Sequence, residues 1–447
     1  MHHVAPQSLE KTAHSLVQGE STAVEEVQRA LDRIAETDSG IRAWVELDGD
    51  GALAAAERLD RLPAAERGPL HGVPVGVKDI IDVAGLPTRC GSQLRDGTPA
   101  AADAAIVARL RGLGAVVLGK TVTTEFAYFN PGPTANPHDT GRTPGGSSSG
   151  SAAAVAAGMV PLALGTQTAA SVSRPAAYCG VTGFVTARGT HPEDGVTGLS
   201  PSLDSLGFLA ASVGDMDFLR RVLDGAGAAG PFPAACPASA PAPATVLSWA
   251  PGGSFGIEPA MLAALERAEE ELAALGHPVQ RLDFDERGAG LAEAHAVIMA
   301  YDAVRLRSAE AARPEALSPQ LAALFEAGRT TSDAAYAAAH GFVAGQLGWI
   351  RGQLAYGTVL LAPAAQGPAP EGLAATGAPI MSRPWQALGL PVLVVPGLTD
   401  PDTGMPLGVQ LASLPGSEDA LFAAAAGLQQ RLAGSLRDTA AVEPAVR

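Results

Sequence analysis

One stretch constrains this chain more than any other: Pro144 to Phe184, reading PGGSSSGSAAAVAAGMVPLALGTQTAASVSRPAAYCGVTGF. Ser149 to Gly158 carries almost no side-chain bulk and stops at a glycine, the residue that most easily takes the left-handed turn ending a helix. Val160 to Leu164 is a short apolar run that fits a strand. Ten helical residues extend about 15 Å, and five or six strand residues about 17–20 Å. A strand doubling back along such a helix brings both ends of the unit together. Ser147, before the helix, then lies beside the loop that holds Ser171, although the two serines are far apart in sequence.

A serine hydroxyl attacks a carbonyl only when a base takes its proton. None of the nine histidines stands in a local setting that marks it as that base. Lysine can serve where desolvation or a positive field lowers its pKa from about 10.4. Lys78 follows Val73-Pro-Val75-Gly-Val77, an alternating strand pattern, and precedes Ile80 and Ile81. A lysine in such apolar company needs a partner, because burying it alone is costly. On its own it reads as a solvated charge beside a strand; the glycine–serine constellation makes it the candidate base.

The 447 residues are 47% hydrophobic and 17% charged, a composition for a globular core. A net charge of −16 argues against nucleic acid as a main partner, since neutralising phosphates needs clustered Lys and Arg. Cys90, Cys179 and Cys236 are few and widely spaced, which suits a reducing compartment without a disulfide framework. The first residues, MHHVAPQSLEKTAHSL, lack the apolar core of a signal peptide, and no run approaches the length of a membrane span. A cytoplasmic protein without membrane contact is expected. Thr22-x-x-Glu25 opens a helix with a capping box. Further on, helical stretches at Leu53–Leu62 and Ala104–Leu113 alternate with strand patterns at Val73–Val77 and Ala115–Leu118, the mark of an α/β sheet. Strand patterns recur at Thr245–Trp249, Val279–Leu282, Thr358–Leu361, Val392–Val395 and Gly408–Leu411. Helix is expected at Pro259–Leu275, through much of 288–350, and at Asp419–Leu432. The Pro- and Ala-rich segment of about 226–245 reads as a surface connection within a single domain spanning 1–447.

Several segments together resemble the amidase signature family. GVPVGVKDIIDVAGLPTRCGS is similar to its catalytic-lysine segment, and GGSSSGSAAAVAAGMVPLALGTQTAASVSRPAAYCGVTGF to its signature. LSPSLDSLGFLAASVGD, LGLPVLVVPGL and MPLGVQLAS follow in family order, so the resemblance runs from about residue 10 to 430. It implies a large mixed, twisted β-sheet flanked by helices on both faces. It also implies Ser171 as nucleophile, Ser147 as a relay preceded by a cis peptide bond, and Lys78 as base. The backbone N–H groups of Thr168, Ala169, Ala170 and Ser171 become the oxyanion hole. The implied reaction is hydrolysis of a C–N acyl bond through an acyl-enzyme, with neither metal nor organic cofactor. Tyr128, Phe129 and Asn130 fall where the family contributes acyl-pocket residues, or else they are ordinary packing. Arg174 either holds a substrate oxygen or pairs with a loop carboxylate, the structural role being favoured.

This chain departs from the common family pattern at three places. Gln167 stands for an aspartate, Ala169-Ala170 for a glycine pair, and Ser173-Arg174 for an arginine two residues after the nucleophile. Alanine avoids positive φ, so the oxyanion loop needs a conformation that accepts a Cβ. The expected substrate is a small neutral amide or an aryl carbamate (urethane), and a homodimer is compatible with the sequence. The alternative is a non-catalytic or partner-dependent amidotransferase-type subunit. Gly146-Ser-Ser148-Ser-Gly150 also matches the G-x-S-x-G elbow, but that motif needs a strand immediately before it, and HDTGRTPG reads as loop. The same glycines lack the Gly-Lys-Ser/Thr ending of a phosphate-binding loop. Trp385, before a strand pattern, either borders the substrate cleft or packs in the core.

Overall fold

The computed structural model describes residues 6–225, 243–354 and 357–440. Eleven strands among them build one mixed sheet: β1 (Trp44–Leu47), β2 (Pro74–Lys78), β3 (Val116–Thr121), β4 (Leu162–Gln167), β5 (Thr182–Val185), β6 (Ser205–Ala210), β7 (Thr245–Ser248), β8 (Val279–Arg281), β9 (Thr358–Pro363), β10 (Val392–Thr399) and β11 (Pro406–Ala412). Their spatial order is β1-β3-β2-β4-β6-β5-β10-β11-β9-β7-β8. Every residue of β2, β3, β4, β5, β6, β9 and β11 is buried. Successive side chains point to opposite faces, so burial without alternation means that both faces are covered. This is the expected mixed sheet between layers of helix.

The helix–strand return inferred from Pro144–Phe184 is present. A helix spans Ser149–Ala156, Gly158 turns the chain at φ 68°, and β4 runs back from Leu162. Gly150 lets this helix press against the chain beside β1 and β3. A Cβ there would lie 2.2 Å from the Ala43 carbonyl oxygen and 2.4 Å from the Val122 nitrogen. The capping box at Thr22 is formed, with the Thr22 side chain accepting from Glu25 N and the Glu25 carboxylate accepting from Thr22 N. The alternating run at Val73–Val77 becomes β2, which ends on Lys78 itself.

β2 lies parallel to β3 on one side and to β4 on the other, with Val77 opposite both Lys120 and Leu164. Lys78 and the Thr166–Ser171 segment therefore emerge at neighbouring carboxyl ends of parallel strands. That is where open α/β sheets form their ligand crevices.

Three strands differ from the sequence reading. β1, β5 and β6 carry no alternating pattern and were not expected as strands; β5 and β6 are fully buried and each includes a glycine, so periodicity has nothing to report there. Of the 226–245 connection, residues 226–242 lie outside the described residues, while Thr245 already belongs to β7. Trp385 packs in the core rather than at a cleft: its ring stacks on Phe284 at 5.2 Å and meets Trp249 edge-on at 5.6 Å.

The strand end bearing Lys78 is anchored by a buried ion pair. Lys120 Nζ lies 3.1 Å from Asp79 Oδ1, with both side chains shut off from solvent, and it also donates to Pro87 O and Thr88 Oγ1. Removing one partner of such a pair strands the other as an uncompensated buried charge. Lys120→Met is expected to lower unfolding free energy by about 3–5 kcal/mol in urea titrations. An unchanged denaturation midpoint would show that Asp79 is not held as an anion.

Candidate active site

Lys78 is fully buried at the end of β2, and its Nζ has three polar neighbours. These are Ser147 Oγ at 2.8 Å, Thr166 Oγ1 at 2.8 Å and Thr166 O at 3.3 Å. Burial pushes the ammonium down to about 7, opposed by the nearby Asp204 carboxylate and Cys90. Three acceptors satisfy the N–H groups of an ammonium, and the neutral amine formed near the shifted pKa fits the same three neighbours in another way. The Thr166 carbonyl only accepts and so takes one N–H, and the Thr166 hydroxyl can take the second. The nitrogen lone pair is then left for the Ser147 hydroxyl, the arrangement required of a base.

Ser147 follows the Gly146–Ser147 peptide, which is cis. Arg174, buried at the start of the helix Ser173–Cys179, donates to the Gly146 carbonyl at 2.6 Å, to Gly377 O and to Thr376 Oγ1. Its guanidinium thus ties the Ser147 loop to the 376–377 segment through carbonyl and hydroxyl oxygens rather than the expected loop carboxylate, and the residue also lines the cavity holding Ser171. The two serine loops are joined main chain to main chain, Ser148 N donating to Ser171 O at 3.1 Å. Ser147 and Ser171 line one cavity, although their hydroxyls are not hydrogen-bonded to each other.

The loop after β4 resolves the departures noted in the sequence. Gln167 Oε1 accepts from Val172 N and Ser173 N, both at 3.0 Å, and so caps the helix Ser173–Cys179. Its Nε2 donates to Gln386 Oε1, while Gln386 Nε2 returns a bond to Gln167 O. An amide does the capping of a carboxylate here because a second amide supplies the matching acceptor. Neither Ala169 nor Ala170 has positive φ, so their Cβ atoms impose no left-handed strain. Among the described residues, no backbone N–H from Thr168 to Ser171 donates to a protein acceptor, and all four residues line the cavity.

Thr168 is held from two sides. Its hydroxyl donates to Asp204 Oδ1, and its carbonyl lies 2.7 Å from His295 Nε2. Asp204 also accepts from Leu199 N and Ser200 N; burial raises its pKa, against these hydrogen bonds and the charge of Lys78. Thr166, Asp204, His295 and Gln386 were not singled out from sequence. Each acts through a contact with a distant segment; Thr166 and Asp204 fall within family-like runs, Gln386 beside one, and His295 in none.

Tyr128 and Phe129 line the same cavity as Ser171, their rings edge to face at 4.8 Å. The preceding turn places Phe126 at φ 45° and Ala127 at φ 61°, a conformation non-glycine residues seldom adopt and one that recurs at ligand-binding turns. Asn130 is not brought there: it lines a neighbouring cavity together with Asp79 and Arg89. Met299, Leu199, Ala127 and Pro379 add to the apolar lining. Among the described residues, no group of His, Cys, Asp or Glu is set to hold a metal ion, and no helix is long and apolar enough to cross a membrane.

Comparison with known proteins agrees with this fold. The family model Amidase matches residues 25–422. Over 220 residues the chain is 44% identical to a glutamyl-tRNA(Gln) amidotransferase subunit of Acidothermus cellulolyticus (strain ATCC 43068 / DSM 8971 / 11B), covering 47% of this chain and 44% of that protein. The match thus spans less than half of that relative's length. Among solved structures, the native peptide amidase of Stenotrophomonas maltophilia superposes with a TM-score of 0.79 at 29% identity, over 96% of this chain and 97% of that one. A chain from a vestigial protein complex, described as revealing the origins of an s-triazine catabolic enzyme, gives 0.84 at 31% identity over 95% and 98%. With this match, the fold and the order of its motifs, the chain belongs to the amidase signature family.

Proposed function

We propose that this protein hydrolyses the C–N acyl bond of small, neutral amides or carbamates through an acyl-enzyme on Ser171. The observation that carries the reading is Lys78, buried, shifted to about 7, and 2.8 Å from the Ser147 hydroxyl. Neutral Lys78 takes the Ser147 proton as Ser147 takes that of Ser171, and Ser171 Oγ bonds to the carbonyl carbon. The oxygen of the tetrahedral intermediate is met by the main-chain N–H groups of Thr168 to Ser171. The proton returns through Ser147 to the departing nitrogen as the C–N bond breaks; water then attacks the acyl-enzyme by the same route. The two hydroxyls need to close only around substrate, since ligand-free sites often hold catalytic hydrogen bonds loosely.

The lining of Tyr128, Phe129, Leu199 and Met299 favours an apolar acyl or aryl group, and Arg174 is already engaged by three protein acceptors. Aryl amides and aryl carbamates are therefore expected to be turned over by the purified chain at higher kcat/KM than charged amino-acid amides. A panel comparing an anilide, an aryl carbamate and glutamine decides this. The amidotransferase relatives favour a second reading, in which the chain acts only beside a partner. A purified chain inert to the whole panel would put that reading first.

A further inference from the structure

His295 takes no part in the proton relay, yet it reaches the reacting loop. It lies on the helix Asp285–Leu306, is fully buried, and places Nε2 2.7 Å from the Thr168 carbonyl oxygen. A carbonyl can only accept, so Nε2 carries the proton. Nδ1 has no hydrogen-bond partner among the described residues. Burial, aided by the positive charges of Arg383 and Arg188, pushes the ring down to about 3 and keeps it neutral at working pH. One turn further along the same helix, Met299 lines the cavity.

The Thr168 carbonyl shares a rigid plane with the Ala169 N–H. In a trans peptide the two point in opposite directions. Drawing the oxygen toward the helix therefore turns the Ala169 N–H away from it, and Ala169 lines the cavity. The Thr168 side chain is fixed separately by Asp204, so rotating the plane would break the His295 bond while leaving the residue tethered.

We infer that His295 is a positioning residue: by holding the Thr168 carbonyl it fixes the Thr168–Ala169 peptide plane and aims the Ala169 N–H at the oxygen that becomes negative during acyl transfer. This rests on the acyl-enzyme reading above. A donor that matters to the developing oxyanion affects the transition state more than bound substrate, so the effect belongs in kcat.

The test compares His295→Leu, which removes the donor, with His295→Gln, whose amide N–H reaches about as far as Nε2. The substrate is the best anilide or carbamate found for the wild type, and thermal melting checks the fold. The leucine variant is expected to lose about 10- to 100-fold in kcat with KM within about threefold, and to react more slowly with a fluorophosphonate by a similar factor. The glutamine variant should recover most of both. A folded leucine variant with kcat within about threefold of wild type overturns the inference, as does a loss confined to KM. A folded glutamine variant as impaired as the leucine one also overturns it. If only the glutamine variant folds, near-wild-type kcat supports the role and a tenfold loss rejects it. A wild-type chain that neither turns over substrate nor takes the label would instead sink the acyl-enzyme reading itself.

Discussion

Ser171→Ala is expected to lower turnover of an aryl amide roughly 10⁴- to 10⁶-fold while leaving the fold unchanged, the scale seen when a serine nucleophile is removed from a unit that acts together. The loss should be in kcat, because the side chain is small and sits at the cavity wall rather than within the apolar lining. Intact-mass spectrometry after fluorophosphonate treatment gives the independent readout. The wild-type chain should gain one adduct, mapped to Ser171, and the alanine variant none. Ser147→Ala should still carry the nucleophile but lose its route to Lys78, so labelling is expected to slow by about 10²- to 10⁴-fold rather than vanish. An adduct that persists in Ser171→Ala would move the reactive serine elsewhere. Ser147 would then be the residue to map, since its hydroxyl is the one bonded directly to the amine.

Much of this site is legible in the amino-acid sequence, and for a definite reason. The small-residue helix and the short strand after it have matching lengths, so their ends must meet, and the chain does close Ser148 N onto Ser171 O. Lys78 is legible because an alternating strand delivers it to an apolar setting. The residues that the sequence hides are held by contacts with no local signature. His295 meets a carbonyl 127 positions away, and nothing in its own helix sets it apart from the other histidines. Thr166 looks like any β-branched strand residue, yet its two oxygens decide which face of the Lys78 nitrogen remains free. The replacement of an aspartate by Gln167 cannot be judged without Gln386, 219 positions on, which supplies the second amide. Asn130 is grouped with Tyr128 and Phe129 by adjacency, but the backbone turns at Phe129, φ 20°, with Asn130 N donating back to Tyr128 O, and Asn130 lines another cavity.

Lys78→Met is expected to remove activity by at least about 10³-fold and to abolish the pH dependence that identifies the base. The wild-type limb follows from the shift to about 7. The neutral amine is the active form, so kcat/KM should rise with pH through about 7 and level off above about 8. Lys78→Arg, which stays protonated, should be as inactive as the methionine variant. Glu193 is raised to about 7 by burial and by Asp204, and it lines a cavity shared with Thr166 and Asp204, so it could imitate this limb. Glu193→Gln separates the two: the limb should persist at about the same pH. If it disappears there, the lysine assignment of the profile fails. The same shift has a consequence for stability. With the folded pKa near 7 and an unfolded value near 10.5, the unfolded chain holds more protons between those limits. Lys78 therefore contributes a gain in stability as pH rises from about 7 toward about 10.5, and below 7 its burial cost is felt in full. Lys78→Met should flatten that rise. A variant that loses activity and the slope together, yet stays folded at neutral pH, would show that the buried amine is kept for its proton rather than for the fold.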